Sequence, residues 1–371
     1  MNRQRAWSRR GLLGGLGAAG LAGRAPAQSG GCRDGYETAR CPLPMPQATA
    51  PIPEIFASTG WKTTALESVT MDVADYKAEA AFYTALLGWR LREDDGRQAI
   101  MDIGDIGNCI FRGAPEGSFG PAVNGVMPRV AIRGFAWVID RWDARTVAAE
   151  LRKRGMAPVA DNRGAFESFR VKDPDGWDLQ ICNGKGLSAA RHTPVAAKLA
   201  TPPPFAPTGW QTVWFDHFSY RGSNYKRSAS FYANLLGWER AFDEGTQFEL
   251  LAGEVGDMLC RGANPFVPGQ PGGASPAIMD HISYGITPWD VEKVRAALEE
   301  RGLPVRADTA TAHIGPDNKR VPDDIYSAAY QSYQTLTPNG MALQISWVTR
   351  GTRLVGAMAD KPQALRKYPT K

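Results

Sequence analysis

An internal repeat constrains the fold of this chain more than any other feature of its sequence. When the 371-residue sequence is shifted so that Trp89 lies on Trp238, the segment from Thr59 to Trp89 matches the segment from Thr208 to Trp238. Both begin with TGW and end with FY-x-x-LLGW, and RWDARTVAAELRKRG is repeated later as PWDVEKVRAALEERG. Two copies of this length are too few and too long for a solenoid. The sequence therefore predicts a duplicated globular domain.

The repeat sets the predicted domain boundaries. The two copies occupy residues 62–184 and 211–349, and a linker of prolines and alanines joins them over 185–210. A Pro/Ala-rich lead-in covers 28–61, and residues 350–371 form a C-terminal tail. Since 43% of the residues are hydrophobic, each copy is long enough to bury a core of its own.

Residues 1–27 have the order of a signal peptide. Arg9 and Arg10 precede a short, uncharged Gly/Ala/Leu stretch, and an A-x-A sequence follows at 25–27. The paired arginines are typical of a twin-arginine signal, which exports folded proteins. We therefore expect a periplasmic protein that has no membrane insertion once the signal is removed. A basic, apolar N-terminus that arose by chance is the alternative.

Charge argues against a nucleic-acid partner. The formal net charge is +5, but five arginines lie in the signal segment, and the chain without them is neutral. No basic surface for nucleic acid or an anionic membrane is expected. Of the five cysteines, Cys32 and Cys41 lie close together in the lead-in, where they can pair after export. Cys109, Cys182 and Cys260 lie in apolar segments and are predicted to be core thiols.

Each copy alternates strand and helix patterns. A helix of the second copy is predicted to end at Gly237, and a later one to begin with Thr287 as its cap and Pro288 as its first residue. Alternating apolar residues before and after these helices predict strands. Each domain is thus strand, helix and three strands, taken twice, which is an α+β class. The helical spacing of the first helix is carried by Tyr225, Ala229, Tyr232 and Leu236.

These motifs resemble those of the vicinal oxygen chelate superfamily, which includes glyoxalase I, bleomycin-resistance proteins and type I extradiol dioxygenases. The resemblance is carried by SASFYANLLGW with its counterpart EAAFYTALLGW, and by DPDGWDLQI with TPNGMALQI. It implies two tandem domains, each built from paired βαβββ modules that form a curled mixed sheet, or cup. It does not imply one activity, because this fold hosts dioxygenases, isomerases, lyases and binding proteins.

The resemblance also implies a metal site. In that superfamily the ligands come from the first, fifth and eighth strands, positions that correspond here to His217, His281 and Gln344. The matching first-domain positions are Ser68, a residue near Gly134, and Gln180. Only the second domain is therefore expected to bind a metal, as Fe(II), Mn(II) or Zn(II). A glutamate is usual where Gln344 stands, and a neutral amide is a weaker ligand.

Each of these residues also has a purely structural interpretation. His217 and His281 can be strand histidines that hydrogen-bond a neighbour. Gln344 can satisfy the backbone or a nearby side chain, since Gln180 occupies the same place in a domain without histidines. Both interpretations stay open at the level of sequence.

Three further residues are candidates for acid–base catalysis. His313 and Tyr333 lie in about 17 extra residues that the second domain carries before its last strand, and long loops inside compact domains are often functional. Tyr326 and Tyr330 share this segment. Glu249, on the predicted third strand, is a candidate base or a fourth metal ligand. A solvated loop and an exposed strand carboxylate are the alternatives.

Two functions follow from these observations. The first is an exported, metal-dependent enzyme that acts on a small substrate with vicinal oxygens, by dioxygenation or by isomerase or lyase chemistry through an enolate. The second is a metal-free binding or sequestering protein of the bleomycin-resistance type. The resemblance leaves open whether the two domains pack on each other or pair between chains in a homodimer.

Overall fold

The computed structural model describes residues 54–115, 117–119, 129–186, 199–243, 247–253, 255–261, 277–309, 312–314, 320–322, 324–326 and 330–347. The predicted signal peptide, Cys32, Cys41 and the C-terminal tail lie outside these ranges. None of the described helices is long and apolar enough to cross a membrane.

The first domain is one eight-stranded mixed sheet with two helices. The strands follow one another across the sheet in the order β2-β3-β4-β1-β5-β8-β7-β6. Its elements are β1 (Thr63–Val73), α1 (Tyr76–Leu87), β2 (Arg90–Asp94), β3 (Gln98–Ile103), β4 (Gly107–Gly113), β5 (Val130–Ile139), α2 (Ala144–Lys153), β6 (Val159–Ala160), β7 (Ser168–Lys172) and β8 (Asp178–Cys182).

The second domain repeats this sheet in the order β10-β11-β12-β9-β13-β18-β17-β14 and adds a two-stranded ribbon of β15 and β16. The predicted α+β class with two tandem sheets is confirmed. Its elements are β9 (Gln211–Arg221), α3 (Tyr225–Leu236), β10 (Glu239–Asp243), β11 (Gln247–Leu251), β12 (Asp257–Arg261), β13 (Ile278–Thr287), α4 (Val291–Glu300), β14 (Arg306–Asp308), β15 (Ala312–Ile314), β16 (Arg320–Pro322), β17 (Ser332–Leu336) and β18 (Ala342–Ser346).

Helix ends follow the caps in the sequence, with one correction. Helix α3 ends at Gly237, which has the left-handed conformation (φ 68°) that glycine adopts at little cost. Helix α4 does not begin at Pro288 with Thr287 as its cap. Its cap is Asp290, whose carboxylate accepts a hydrogen bond from the backbone N–H of Lys293. A carboxylate at this place is a stronger acceptor for the first turn than the threonine three residues earlier.

The two domains pack on each other within one chain through contacts that are repeated by pseudo-twofold symmetry. The indole N–H of Trp89 donates to the Thr212 hydroxyl (2.9 Å), and that of Trp238 donates to the Thr63 hydroxyl (2.7 Å). Aromatic rings fill the space between the sheets, and Phe135 stacks on a phenylalanine of the other domain at 4.4 Å. The predicted core thiols Cys109, Cys182 and Cys260 are buried and unpaired.

Strand alternation gives each sheet two different faces. On β9, Phe218 and Tyr220 point into the aromatic core, whereas His217 and Ser219 lie on the opposite face. We call this opposite face of the second domain the cup. Its buried polar side chains come from β9, β11, β12, β13, β17 and β18, so the sheet brings residues far apart in sequence to one surface.

Candidate active site

A β-bulge on β9 places two polar side chains next to each other in the cup. His217 is the register partner of Ser283 on β13, and Phe215 is the partner of Tyr284, so Asp216 is one extra residue on β9. Bulges bend a strand and redirect its side chains. Here the fully buried Asp216 carboxylate reaches its own neighbour, with Oδ2 at 2.9 Å from His217 Nδ1.

The imidazoles of His217 and His281 converge in the cup. Their Nε2 atoms are 3.1 Å apart, and the two buried rings stand nearly perpendicular. Two nitrogens that bind one ion at about 2.1 Å with an angle between 90° and the tetrahedral value lie about 3.0 to 3.4 Å apart. The observed separation therefore fits two ligand positions on a single metal ion.

Asp216 selects the tautomer of His217. A carboxylate accepts hydrogen bonds, so His217 Nδ1 carries the proton that it donates to Asp216. Its Nε2 then presents a lone pair toward His281. A carboxylate that holds the far nitrogen of a histidine is the usual partner of a metal-binding imidazole, because it fixes the ring and raises its basicity.

Gln344 lies in the same cup but does not hydrogen-bond either imidazole. Its Nε2 donates to the hydroxyls of Tyr330 (3.0 Å) and Ser332 (2.8 Å), and its Oε1 accepts a long hydrogen bond from Gln334 (3.4 Å). The Tyr330 hydroxyl in turn donates to Asp216 Oδ2 (2.7 Å). Gln344 therefore reaches His217 through two intermediate side chains.

Part of this arrangement also exists in the first domain. Gln180 donates to the Ser168 hydroxyl (2.7 Å) as Gln344 does to Ser332, and each serine hydroxyl donates to a backbone carbonyl, that of Asp161 or Asp308. The glutamine–serine pair is thus a feature of both sheets. It needs no metal to account for it.

Two buried carboxylates lie on the same face of the sheet as the histidines. Glu249 lies on β11, the third strand, as predicted, and is buried in the same transverse row as His281. Asp257 on β12 is the register partner of His217 and is also buried. Sequence reasoning did not select Asp257; its place opposite β9 follows only from the strand order. Between them, the buried Ser219 hydroxyl makes no hydrogen bond among the described residues.

The structure does not bring Tyr333 to this site. Tyr333 is the register partner of Ile345, the residue after Gln344, and therefore lies on the opposite face of the sheet. Its ring stacks on Trp289 with centroids 6.3 Å apart, and burial raises the pKa of its hydroxyl to about 12. Tyr330 is the tyrosine that contacts the site. His313 falls in β15, and its side chain is outside the described part of the chain.

The donor set therefore fits a metal in part. The two imidazoles and Asp216 have the geometry of a metal-binding pair and its supporting carboxylate. The amide of Gln344, the third predicted ligand, donates its hydrogen bonds to Tyr330 and Ser332 and makes none with either imidazole. Within the described ranges, no three His, Cys, Asp or Glu side chains lie together in a way that could hold an ion.

Comparison with known proteins supports the resemblance drawn from the motifs. Residues 68–182, within the first domain, match the family described as a glyoxalase-like domain. No curated protein sequence matches the chain.

Solved structures with a similar fold match about three quarters of the chain. The Mn(II)-bound glyoxalase from Novosphingobium aromaticivorans is 18% identical, with a TM-score of 0.51 over 77% of this chain and 82% of its own. A catechol 2,3-dioxygenase is 14% identical, with a TM-score of 0.52 over 78% and 89%. The 2,3-dioxygenase LapB from Pseudomonas sp. KL28 is 13% identical, with a TM-score of 0.50 over 77% and 92%. These likenesses show a common fold.

Proposed function

We propose that the second domain is the active site of a metal-dependent enzyme that acts on a small substrate with two neighbouring oxygens. The observation that carries this proposal is the convergence of His217 and His281 Nε2 atoms at 3.1 Å. The first domain has a serine and a glycine at these places, and residues 62–184 contain no histidine. An imidazole pair in one copy alone indicates a function that the scaffold does not need.

The cup provides the other parts of such a site. His217 and His281 would hold the ion, and Asp216 would fix the orientation of His217. A divalent ion bound there would supply Lewis acidity toward the oxygens of the substrate. Glu249 and Asp257 are buried carboxylates on the same face, and we assign Glu249 the role of general base. The burial of these side chains limits the access of water to the reacting atoms.

The reaction class is dioxygenation, or isomerase or lyase chemistry through an enolate. A glyoxalase and two dioxygenases have this fold. Both kinds of reaction stabilise negative charge on one of two adjacent oxygens, a task that one divalent ion performs. Fe(II), Mn(II) and Zn(II) suit a site of imidazole and oxygen donors.

One observation favours a second candidate, a metal-free binding protein of the bleomycin-resistance type. The amide N–H groups of Gln344, the expected third ligand, donate hydrogen bonds to the hydroxyls of Tyr330 and Ser332. A cup that holds only two ligands binds an ion less tightly than one with three. In that case the histidine pair would hydrogen-bond a polar ligand directly.

Export and assembly complete the proposal. The twin-arginine pattern of residues 1–27 suits a protein that acquires its metal in the cytoplasm and is exported folded to the periplasm. A homodimer remains a prediction. Fractionation of cells that express the full chain, and light scattering of the mature protein, test these two points.

Turnover by the mature protein tests the proposed function. The protein is loaded with Fe(II), Mn(II) or Zn(II), and catechols and 2-hydroxyketones are followed by absorbance and oxygen uptake. We expect one ion to support turnover that His217→Ala lowers by at least about 100-fold, beyond the 10- to 100-fold typical of residues that only support a ligand. The matched control Ser68→Ala should be unaffected. Equal turnover by both variants would contradict the proposal, and ligand binding without turnover or metal would support the second candidate.

A further inference from the structure

We propose that Tyr330 and Asp216 are positioning residues for His217, and that Gln344 anchors Tyr330 instead of binding the metal. This inference rests on the proposed function. Four buried side chains form one hydrogen-bonded chain: Gln344 Nε2 to Tyr330 Oη at 3.0 Å, Tyr330 Oη to Asp216 Oδ2 at 2.7 Å, and His217 Nδ1 to the same Oδ2 at 2.9 Å.

The direction of every hydrogen bond in this chain is fixed by its neighbours. The Ser332 hydroxyl donates to the Asp308 carbonyl (2.6 Å), and the Tyr330 hydroxyl donates to the Asp216 carboxylate. Both hydroxyl oxygens can therefore only accept from Gln344. The two amide hydrogens of Gln344 supply one hydrogen bond to each hydroxyl, while its oxygen accepts a hydrogen bond from Gln334. The amide has no donor left over, and its oxygen faces away from the imidazoles.

A glutamate at position 344 cannot take this role. A carboxylate only accepts hydrogen bonds, so it would compete with Asp216 for the Tyr330 hydroxyl instead of donating to it. The departure from the superfamily pattern at this position thus has a physical reason. Gln344 is required as a donor, and the oxygen that a metal would need is used elsewhere.

The first domain supports this division of roles. Its Gln180 makes the same bond to a serine, but the counterpart of Tyr330 is Phe166, which has no hydroxyl. The tyrosine hydroxyl is therefore present in the copy that has His217 and absent from the copy that has Ser68. The glutamine–serine pair belongs to the fold, and the link from Tyr330 to Asp216 belongs to the histidine site.

This series of hydrogen bonds would affect metal binding by fixing the orientation and tautomer of the His217 imidazole. Tyr330 holds Asp216 in place, and Asp216 keeps the proton of His217 on Nδ1, so that the Nε2 lone pair faces His281 and would be available to a metal ion. Loss of such supporting residues weakens metal affinity by about 10- to 100-fold. We expect Tyr330→Phe to fall at the lower end of this range and Asp216→Ala at the upper end.

Metal affinity, measured by competition with a chromophoric chelator for Mn(II) and for Zn(II), tests the inference on the mature protein. Tyr330→Phe should raise Kd by about tenfold, and Gln344→Glu should also raise it. Two matched controls should leave Kd unchanged: Tyr333→Phe, which loses a hydroxyl on the other face of the sheet, and Gln180→Glu, which makes the same change in the first domain. Circular dichroism and thermal unfolding confirm that each variant folds.

A second measurement does not depend on the metal. In the apo protein, long-range ¹⁵N–¹H spectra of the imidazole nitrogens should show His217 as the Nδ1–H tautomer, and Tyr330→Phe should yield a mixture of tautomers. An unchanged Kd in Tyr330→Phe, or a lower Kd in Gln344→Glu, would overturn the inference while the proposed function stands. A wild-type protein that binds neither ion would overturn the proposed function, and the positioning role with it.

Discussion

The first and second domains have the same arrangement of strands and helices but differ in some of the side chains on the corresponding strands. In both, the first strand has a bulge at the same place: Glu67 is the extra residue of β1, as Asp216 is of β9. The residue after the bulge is Ser68 in one copy and His217 in the other. The bulge and its acidic residue therefore do not depend on a metal site, and they provide a position at which an imidazole gains a supporting carboxylate.

The comparison extends to the packing beneath each sheet. Trp142 stacks on Phe169 in the first domain as Trp289 stacks on a tyrosine in the second, at 5.9 and 6.3 Å. The indole N–H of each tryptophan donates to the side chain two residues before that ring, which is Glu167 or Gln331. Residues that build the sheet are thus alike in the two copies. On the cup face, by contrast, His217 and His281 stand where the first domain has Ser68 and Gly134.

The largest effect on stability is expected where the two domains touch. A Cβ at Gly237 would lie 1.9 Å from the Trp61 carbonyl oxygen, and one at its counterpart Gly88 would lie 2.5 Å from that of Trp210. Gly302 has the same positive φ and nothing within 4 Å. Gly302→Ala should cost about 1–2 kcal/mol from the left-handed backbone alone. Gly237→Ala should cost a further 1–3 kcal/mol because of the clash.

Urea denaturation measures both changes. If the two alanine variants lose the same free energy of unfolding, the close approach of the two domains at Gly237 is not a feature of the protein in solution. Gly88→Ala then sharpens the result, because pseudo-symmetry predicts a loss in the same direction.

A smaller, pH-dependent effect is expected from a second contact between the domains. Glu79 of α1 is fully buried and accepts a hydrogen bond from the Asn339 side chain (2.7 Å), whereas the symmetric contact joins Ser228 to Asp175. Burial raises the pKa of Glu79 above its usual value of 4.5. The acid form is therefore favoured by folding, and this contribution to stability is present below pH 4.5 and lost as pH rises through the raised pKa.

Glu79→Gln keeps an acceptor for Asn339 and removes the titration. The free energy of unfolding of the wild type should fall relative to that of the variant as pH increases above 4.5, when both are measured by urea denaturation. Parallel stability curves for the two proteins would show that Glu79 is not desolvated at this contact.

The sequence predicts the scaffold well because each signal is local or repeated. The helix of Tyr225–Leu236 and its stop at Gly237 follow from spacing and a terminal glycine. The duplicated motifs predict two similar sheets, and the resemblance to the superfamily, not the pattern itself, assigns His217 and His281 to the first and fifth strands. None of these needs knowledge of a long-range contact.

The finer details of the site depend on register, which periodicity does not settle. A shift by one residue moves a strand's side chains to the other face of the sheet. Ser332 and Tyr333 are adjacent, so only one of them lies in the cup, and the register shows that it is Ser332. The match of Ser168 with Ser332 in the two copies was a signal that could have excluded Tyr333. The bulge at Asp216 places two adjacent side chains on one face and has no signature in the sequence.

The most direct test of the central claim, that only the second domain holds a metal, is elemental mass spectrometry of protein folded in the cytoplasm and purified without chelator. We expect close to one equivalent of Fe, Mn or Zn in the wild type and in the first-domain control Ser68→Ala/Gln180→Ala, and almost none in His217→Ala/His281→Ala. A wild type that stays without metal after reconstitution with each ion, or a double histidine variant that retains its metal, would contradict the account.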